Sequence, residues 1–313
     1  MSIANPFLQQ THKTAHSNRL KRIVTFASVT VALILIFTKL WAYLLTDSVS
    51  LLSSLMDSTV DAIASIITLI SVRHAMEPAD EQHRYGHGKL EPIAAMAQSV
   101  FIAGSATFIL FESMHRFVHP QMVQKTSLGI SVMVLSIVLT LGLVTFQKYV
   151  IKQTKSVAID ADHLHYKGDL LMNAGVILAL VLGQMFSWPY FDPIFALLIA
   201  ALLLNGAWEI GRSSYDILMD KELPLTEREK VFNIVLKHKS AESMHDLRTR
   251  SNGQQVFIEF HLELNGEMTL NKAHDVTEEI EALLFQSFPN AEILIHQEPA
   301  GIEDHRLDEQ VKK

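Results

Sequence analysis

Apolar residues run through this chain in six long blocks before the pattern breaks into short alternations. The blocks lie at Ile23–Leu45, Leu51–Val72, Pro92–Phe117, Leu128–Val150, Ser156–Phe186 and Pro193–Met219. Each is long enough to cross about 30 Å of hydrocarbon as a helix at 1.5 Å per residue. After Asp220 the period shortens. "LTEREKVFNIVLKHK" reads as an amphipathic helix, and "MHDLRTRSNGQQVFIEFHLEL" as two strands around Asn252-Gly253, a strong hairpin signal. In the second strand Val256, Ile258, Phe260, Leu262 and Leu264 alternate with Phe257, Glu259, His261 and Glu263, so one face is core and the other mostly polar. A helix, "TLNKAHDVTEEIEALLFQSF", and a strand, "AEILIHQE", complete the order αββαβ, which packs helices on one face of a small sheet. The fold class expected is an α-helical membrane protein with six transmembrane helices, followed by a small cytoplasmic α+β domain of ferredoxin or metallochaperone type. The expected domains are a polar segment over 1–22, the helices over 23–219, the α+β domain over 220–300 and a flexible tail over 301–313.

Charge sets the orientation. Short loops on one side carry Lys13, Arg19, Lys21, Arg22, Arg73, Arg84, Lys89, Lys148, Lys152 and Lys155, against Lys125 and Arg116 on the other. By the positive-inside rule both termini are cytoplasmic. The first 22 residues lack an apolar signal-peptide core, so the first span is expected to stay in the membrane as an anchor. Lys39, inside that span, is expected to snorkel to the outer face. From Lys221 onward there are 11 Lys and Arg against 18 Asp and Glu, which accounts for the whole net charge of −7. An acidic tail argues against nucleic-acid binding, which needs a basic face. There is no cysteine, so any metal must be held by His, Asp, Glu or backbone oxygen.

Two of the apolar blocks carry ionisable groups near their middles. Asp57 and Asp61 lie four apart in "LLSSLMDSTVDAIASIITLISV", and His165 and Asp169 four apart in "DHLHYKGDLLMN". Each pair shares one helix face. Asp61 is 11 residues before Val72 and Asp169 is 13 after Ser156, placing them roughly 16 and 20 Å from the cytoplasmic ends. A carboxylate at a helix centre costs roughly 2.5–3.5 kcal/mol on insertion scales, so intramembrane ionisable groups point to function. If the two helices pack, a divalent cation neutralises most of the charge, and the donor set suits tetrahedral Zn²⁺ or Fe²⁺. A single buried polar group is more often glue between helices; four at matched depth are not explained that way. An intramembrane aspartyl protease would need Gly-x-Gly-Asp where this chain has Tyr166-Lys167-Gly168-Asp169, and the His-Glu-x-x-His of zinc proteases is absent. An enzyme is not expected.

The segments "SVSLLSSLMDSTVD", "PADEQHRYGHGK", "HLHYKGD", "HDLRTR" and "IHQEP" resemble the signatures of the cation diffusion facilitators, in particular their bacterial ferrous-iron and zinc efflux branch, over about residues 20–299. The resemblance implies a homodimeric, proton-coupled antiporter of the bacterial inner membrane that exports Zn²⁺, with Fe²⁺ and Cd²⁺ as further cargo. Its transport site would be Asp57, Asp61, His165 and Asp169. Protons as counter-ions fit the chemistry, because a ligand must shed its proton to bind metal. On pattern alone "PADEQHRYGHGK" is either a solvated turn or a metal loop; the resemblance implies a second site at Asp80, His83 and His87. In the tail it implies a two-zinc site on His245, His261, His274, His296 and Glu298, with a carboxylate bridging the ions. Close relatives have Asp there, and Glu298 is one methylene longer. Lys89 and Asp220 match a salt-bridge cluster that locks the dimer, and Leu164 a hydrophobic gate. His12 and His16 match nothing and read as solvated. The competing function is a membrane-anchored zinc sensor that does not transport; transport direction comes from the resemblance alone.

Overall fold

The computed structural model describes residues 6–46, 49–119, 127–186, 188 and 190–301. Six long helices come first: α1 Pro6–Thr46, α2 Val49–Ala75, α3 Leu90–Val118, α4 Ser127–Thr154, α5 Val157–Phe186 and α6 Phe191–Leu218. All six are long and apolar enough to cross a membrane. The α+β part follows as α7 Leu225–Val235, β1 Ser243–Ser251, β2 Val256–Leu264, α8 Leu270–Ser287 and β3 Ala291–Pro299. The tail beyond Gly301 and the outer-loop Lys125 lie outside the described residues, as does the side chain of His12; His16 is exposed.

The chain forms two compact units. One comprises His16–Tyr215; the other comprises Asp216–Lys313 together with Met1–Ala15. In the helical unit α1 reaches further back than its apolar block. No Gly or Pro interrupts residues 7–46, so once Pro6 supplies a pre-set φ at the first position nothing stops the helix. Lys21, read from sequence as a loop charge, is 3% exposed and donates to Glu91 Oε1 at 2.7 Å. Ser156 Oγ closes on the other oxygen of Glu91, so one buried ion pair joins α1, α3 and the start of α5. Such a pair is costly to half-remove, because the partner is left charged and unsolvated. Between α4 and α5 the chain turns through Lys155, which holds φ 52° and donates its N–H to Ile151 O at 2.8 Å. That left-handed residue ends the helix, and Ser156 Oγ accepts from the N–H of Ile159 to begin the next.

In the other unit the sheet order is β1-β2-β3, with β1 antiparallel and β3 parallel to β2. Ile258, Phe260, Leu262 and Leu264 from β2 meet Val231 and Val235 of α7 and Val276, Ile280 and Leu284 of α8 in one core. Each fully buried aliphatic side chain there contributes about 1.5–3 kcal/mol. Both helices cover that face, which leaves the alternate residues of the strands on the open face. The hairpin turns where expected: Asn252 Oδ1 accepts from the N–H groups of Gln254 and Gln255, and Gly253 takes φ 93°.

Candidate metal centres

Among the described residues, three groups of His and carboxylate side chains come close enough to share an ion: Asp61, His165 and Asp169; Asp80, His83 and His87; and His245, His261 and Glu298. In each, one ligand atom per residue lies within 4.8 Å of the others.

The first is intramembrane. His165 Nε2 is 2.8 Å from Asp61 Oδ1 and 3.8 Å from Asp169 Oδ2. The three are sheltered to different degrees, with side-chain exposures of 10%, 17% and 37% for His165, Asp61 and Asp169. Two elements position them. On α2, Ser58, Asp61, Ser65 and Thr68 recur at three- and four-residue spacing, and the Ser and Thr members are at most 2% exposed, so Asp61 stands in the polar seam that faces the other helices. Asp57 lies off this seam and is exposed; it is outside the cluster. On α5, Leu164 leans the other way, into the gap left by Gly206 on α6. A Cβ at Gly206 would stand 2.8 Å from both Leu164 methyls. Leu164 is packed with Leu203 and Ala207.

One turn towards the cytoplasmic end of α5 from His165 sits a group that the sequence reading passed over. Asp162 is 1% exposed. It accepts from Gln147 Nε2 at 2.8 Å and from Ser65 Oγ at 3.2 Å. Tyr166 Oη lies 2.8 Å from Ser65 Oγ and donates to Ser28 O at 3.3 Å. This network ties α1, α2, α4 and α5 together and fixes the helix that carries His165. The signal was present, since Asp162 is a further ionisable residue in the span, but the network it joins draws on three other helices. Lys39 also departs from expectation. Its ammonium does not reach outward; it donates to Ser58 Oγ at 2.6 Å and to Ser54 O at 3.1 Å on α2.

The loop group is folded around Asp80. Its Oδ1 accepts from the N–H groups of His83 at 2.6 Å and Gln82 at 2.9 Å. The two oxygens then reach different rings, His83 Nδ1 at 3.3 Å and His87 Nε2 at 3.4 Å. The backbone N–H of His83 holds the Asp80 carboxyl below its ordinary value near 3.8. The turn closes through Gly86 at φ 72°, a backbone region that an L side chain rarely adopts. Among the described residues, His87 Nδ1 is buried without a hydrogen-bond partner.

The third group stands on the open face of the sheet. Register places His261 opposite His245 on β1 and opposite His296 on β3. Their ring centroids are 5.0 and 4.7 Å from that of His261. Glu298 spans two of the rings: Oε1 is 2.9 Å from His245 Nε2 and Oε2 is 3.5 Å from His261 Nδ1. Glu263 Oε1 adds a contact of 3.2 Å to His245 Nδ1. His245 Nδ1, His261 Nδ1 and Glu298 Oε1 are buried yet misaligned for hydrogen bonds, so close donors and acceptors here lack the geometry that would satisfy them. Buried polar atoms left in this way fit a ligand shell better than a hydrogen-bonded network. A bulge aims His245. Between His245 and Arg248 β1 carries one residue more than β2, and Asp246 takes φ 51°; an extra residue of this kind redirects a side chain. His296 lines the same face outside the three-residue group. His274 is on α8, two-thirds exposed and 3.5 Å from Glu278, and is not brought to the site. Lys89 precedes α3 in one unit, whereas Asp220 of the other lies 3.7 Å from Arg250.

Comparison with known proteins follows the same division. Residues 25–219 match the cation efflux transmembrane domain, and residues 223–300 the cytoplasmic domain of cation efflux proteins. The chain is 46% identical to the cation-efflux pump FieF of Shewanella oneidensis over 90% of its own length and 95% of the relative's. It is 41% identical to Protein p34 of Rickettsia rickettsii over 93% and 96%. A solved metal-bound C-terminal domain of the CzcD transporter from Thermotoga maritima is 27% identical, with a TM-score of 0.25, and covers 26% of this chain and 100% of that one. Six membrane helices ahead of a cytoplasmic αββαβ domain, matched from residue 25 to residue 300, establish that this chain belongs to the cation efflux family as a multi-pass membrane transporter and not an enzyme.

Proposed function

We propose that this protein is a proton-coupled antiporter that exports Zn²⁺, and also Fe²⁺ and Cd²⁺, from the cytosol of a bacterium. It works as a homodimer in the inner membrane, with residues 23–219 as the transport unit and 220–300 as a metal-binding unit. The observation that carries this reading is the convergence of Asp61, His165 and Asp169 within 4.8 Å in the middle of candidate spans. Two carboxylates and an imidazole, with Asp57 one turn away as a fourth donor, suit a divalent ion of zinc's size. Each donor that takes a proton ceases to be a ligand, which couples metal release to protonation. Asp80, His83 and His87 form a second zinc site. His245, His261, His296 and Glu298 form a cytoplasmic zinc site that stabilises the active dimer, with His274 as an additional ligand only if another element carries it there.

The test is zinc flux into proteoliposomes holding a zinc dye, with and without an imposed pH gradient, for wild type beside Asp61→Ala and Asp169→Ala. Flux that follows the proton gradient and disappears in both variants is the expected result. Zinc binding without flux in wild type would replace this reading with a zinc sensor anchored in the membrane.

A further inference from the structure

We propose that Lys39 is a built-in counter-charge of the intramembrane carboxylate cluster, setting how tightly the divalent cargo is held and how readily it leaves. The inference rests on Asp57, Asp61, His165 and Asp169 being the cargo site. The Lys39 ammonium is in the wrong place for an anchor. Lys39 lies on α1 inside the first candidate span. A lysine near a helix end ordinarily extends along the lipid until its head reaches water. This one donates instead to the Ser58 hydroxyl at 2.6 Å and the Ser54 carbonyl at 3.1 Å. Those two acceptors bracket Asp57 on α2, and Ser58 is 1% exposed. The head group is thereby tied to the same turn as the first carboxylate and one turn from Asp61.

Charge balance gives this placement a consequence. With every carboxylate ionised and the imidazole neutral, the state that can take metal, the four donors carry −3 and Lys39 brings the site to −2. A divalent ion then neutralises it completely, where without the lysine the loaded site would remain at −1. In a low-dielectric interior a residual charge is expensive, so the ammonium makes a divalent ion the matching occupant. It also weakens the hold on that ion. Metal and ammonium repel through space, so a bound ion is destabilised relative to a site without the lysine. For a transporter this is useful: a site that binds too tightly cannot release. Because Ser54 and Ser58 tether the ammonium on the turn of α2 that carries Asp57, it contributes charge without occupying a ligand position.

The experiment uses the full chain in proteoliposomes at fixed pH, measuring zinc-uptake KM and kcat for wild type, Lys39→Met, Lys39→Gln, Lys39→Arg and Asp61→Ala. With the ammonium removed, KM and kcat should both fall, by about tenfold to a hundredfold, the size expected of a unit charge acting on a divalent ion through a partly screened medium. Lys39→Arg keeps the charge and should return both constants towards wild type. If Lys39→Met does not yield a monodisperse protein, Lys39→Gln, which keeps a donor for Ser58 but no charge, supplies the same reading. Wild-type KM in a folded neutral variant would overturn the proposal. So would Lys39→Arg matching Lys39→Met, since that pattern marks a packing role. Zinc uptake persisting in Asp61→Ala would instead remove the cargo site itself, whatever Lys39 does.

Discussion

Replacing Glu298 by Gln tests whether the open sheet face is a metal site in which one carboxylate serves two positions. The substitution keeps the shape of the side chain and removes its charge. Glu298 Oε1 and Oε2 lie 2.9 and 3.5 Å from nitrogens of two different histidines, so both oxygens are placed to act. A charge-assisted interaction contributes about 1.5–3 kcal/mol, and losing it from a zinc site corresponds to roughly a hundredfold weaker binding at about 1.4 kcal/mol per factor of ten. The assay is thermal unfolding of the cytoplasmic unit, which has its own hydrophobic core, with and without zinc. With zinc at about 100 times the wild-type Kd, binding stabilises the wild-type domain by about 2.7 kcal/mol. For a domain of this size that is a rise in Tm on the order of 10–20 °C. The variant, with its Kd now near the zinc concentration, retains about 0.4 kcal/mol and a rise of about 2–3 °C. A zinc-induced shift in Glu298→Gln equal to that of wild type would refute the reasoning and leave Glu298 a spectator.

Other parts of the structure give equally direct expectations. Gly206→Ala places a methyl group 2.8 Å from both ends of Leu164, so Leu164 must leave its rotamer; a loss of about 1–3 kcal/mol in the full-length protein is expected, and thermal unfolding in detergent would show it. His274→Ala should leave the zinc affinity of the isolated cytoplasmic unit as it is, since His274 faces Glu278 on its own helix; a calorimetric loss of affinity in the monomeric unit would place it in the site. Acid acts on the loop through Asp80. Its carboxyl is held below 3.8 in the folded chain by the His83 N–H, so its contribution is present above the unfolded value and disappears as pH falls through the lower folded one. An NMR titration of the Asp80 carboxyl carbon should therefore find a midpoint under 3.8, and a midpoint at or above it would contradict the hydrogen bond.

By itself the sequence determined the elements and the residue types that carry the chemistry. Uninterrupted apolar blocks can satisfy their backbone in lipid only as helices, and strict alternation in β2 assigns His261 to the open face. The i,i+4 spacing of His165 and Asp169 and the Asp80-x-x-His83-x-x-x-His87 spacing in the loop are local relations, readable because a helix turn or a tight loop brings near neighbours together. What the tertiary structure decided is everything that depends on a partner far along the chain. The seam of α2 takes Asp61 inward and leaves Asp57 outside the cluster, although the spacing alone treats them alike. A bulge at Asp246 turns His245 towards Glu298, and no periodicity forecasts an extra residue in a strand. Lys21 and Lys39 read as a loop charge and a snorkelling anchor because each was judged by its own segment. Glu91, 70 residues on, and Ser58, 19 residues on, convert them into internal cations. The physical reason is common to these cases. Hydrophobic patterning is summed over many residues and survives any one exception, whereas a buried charge is settled by a single partner whose arrival only the packing of helices determines.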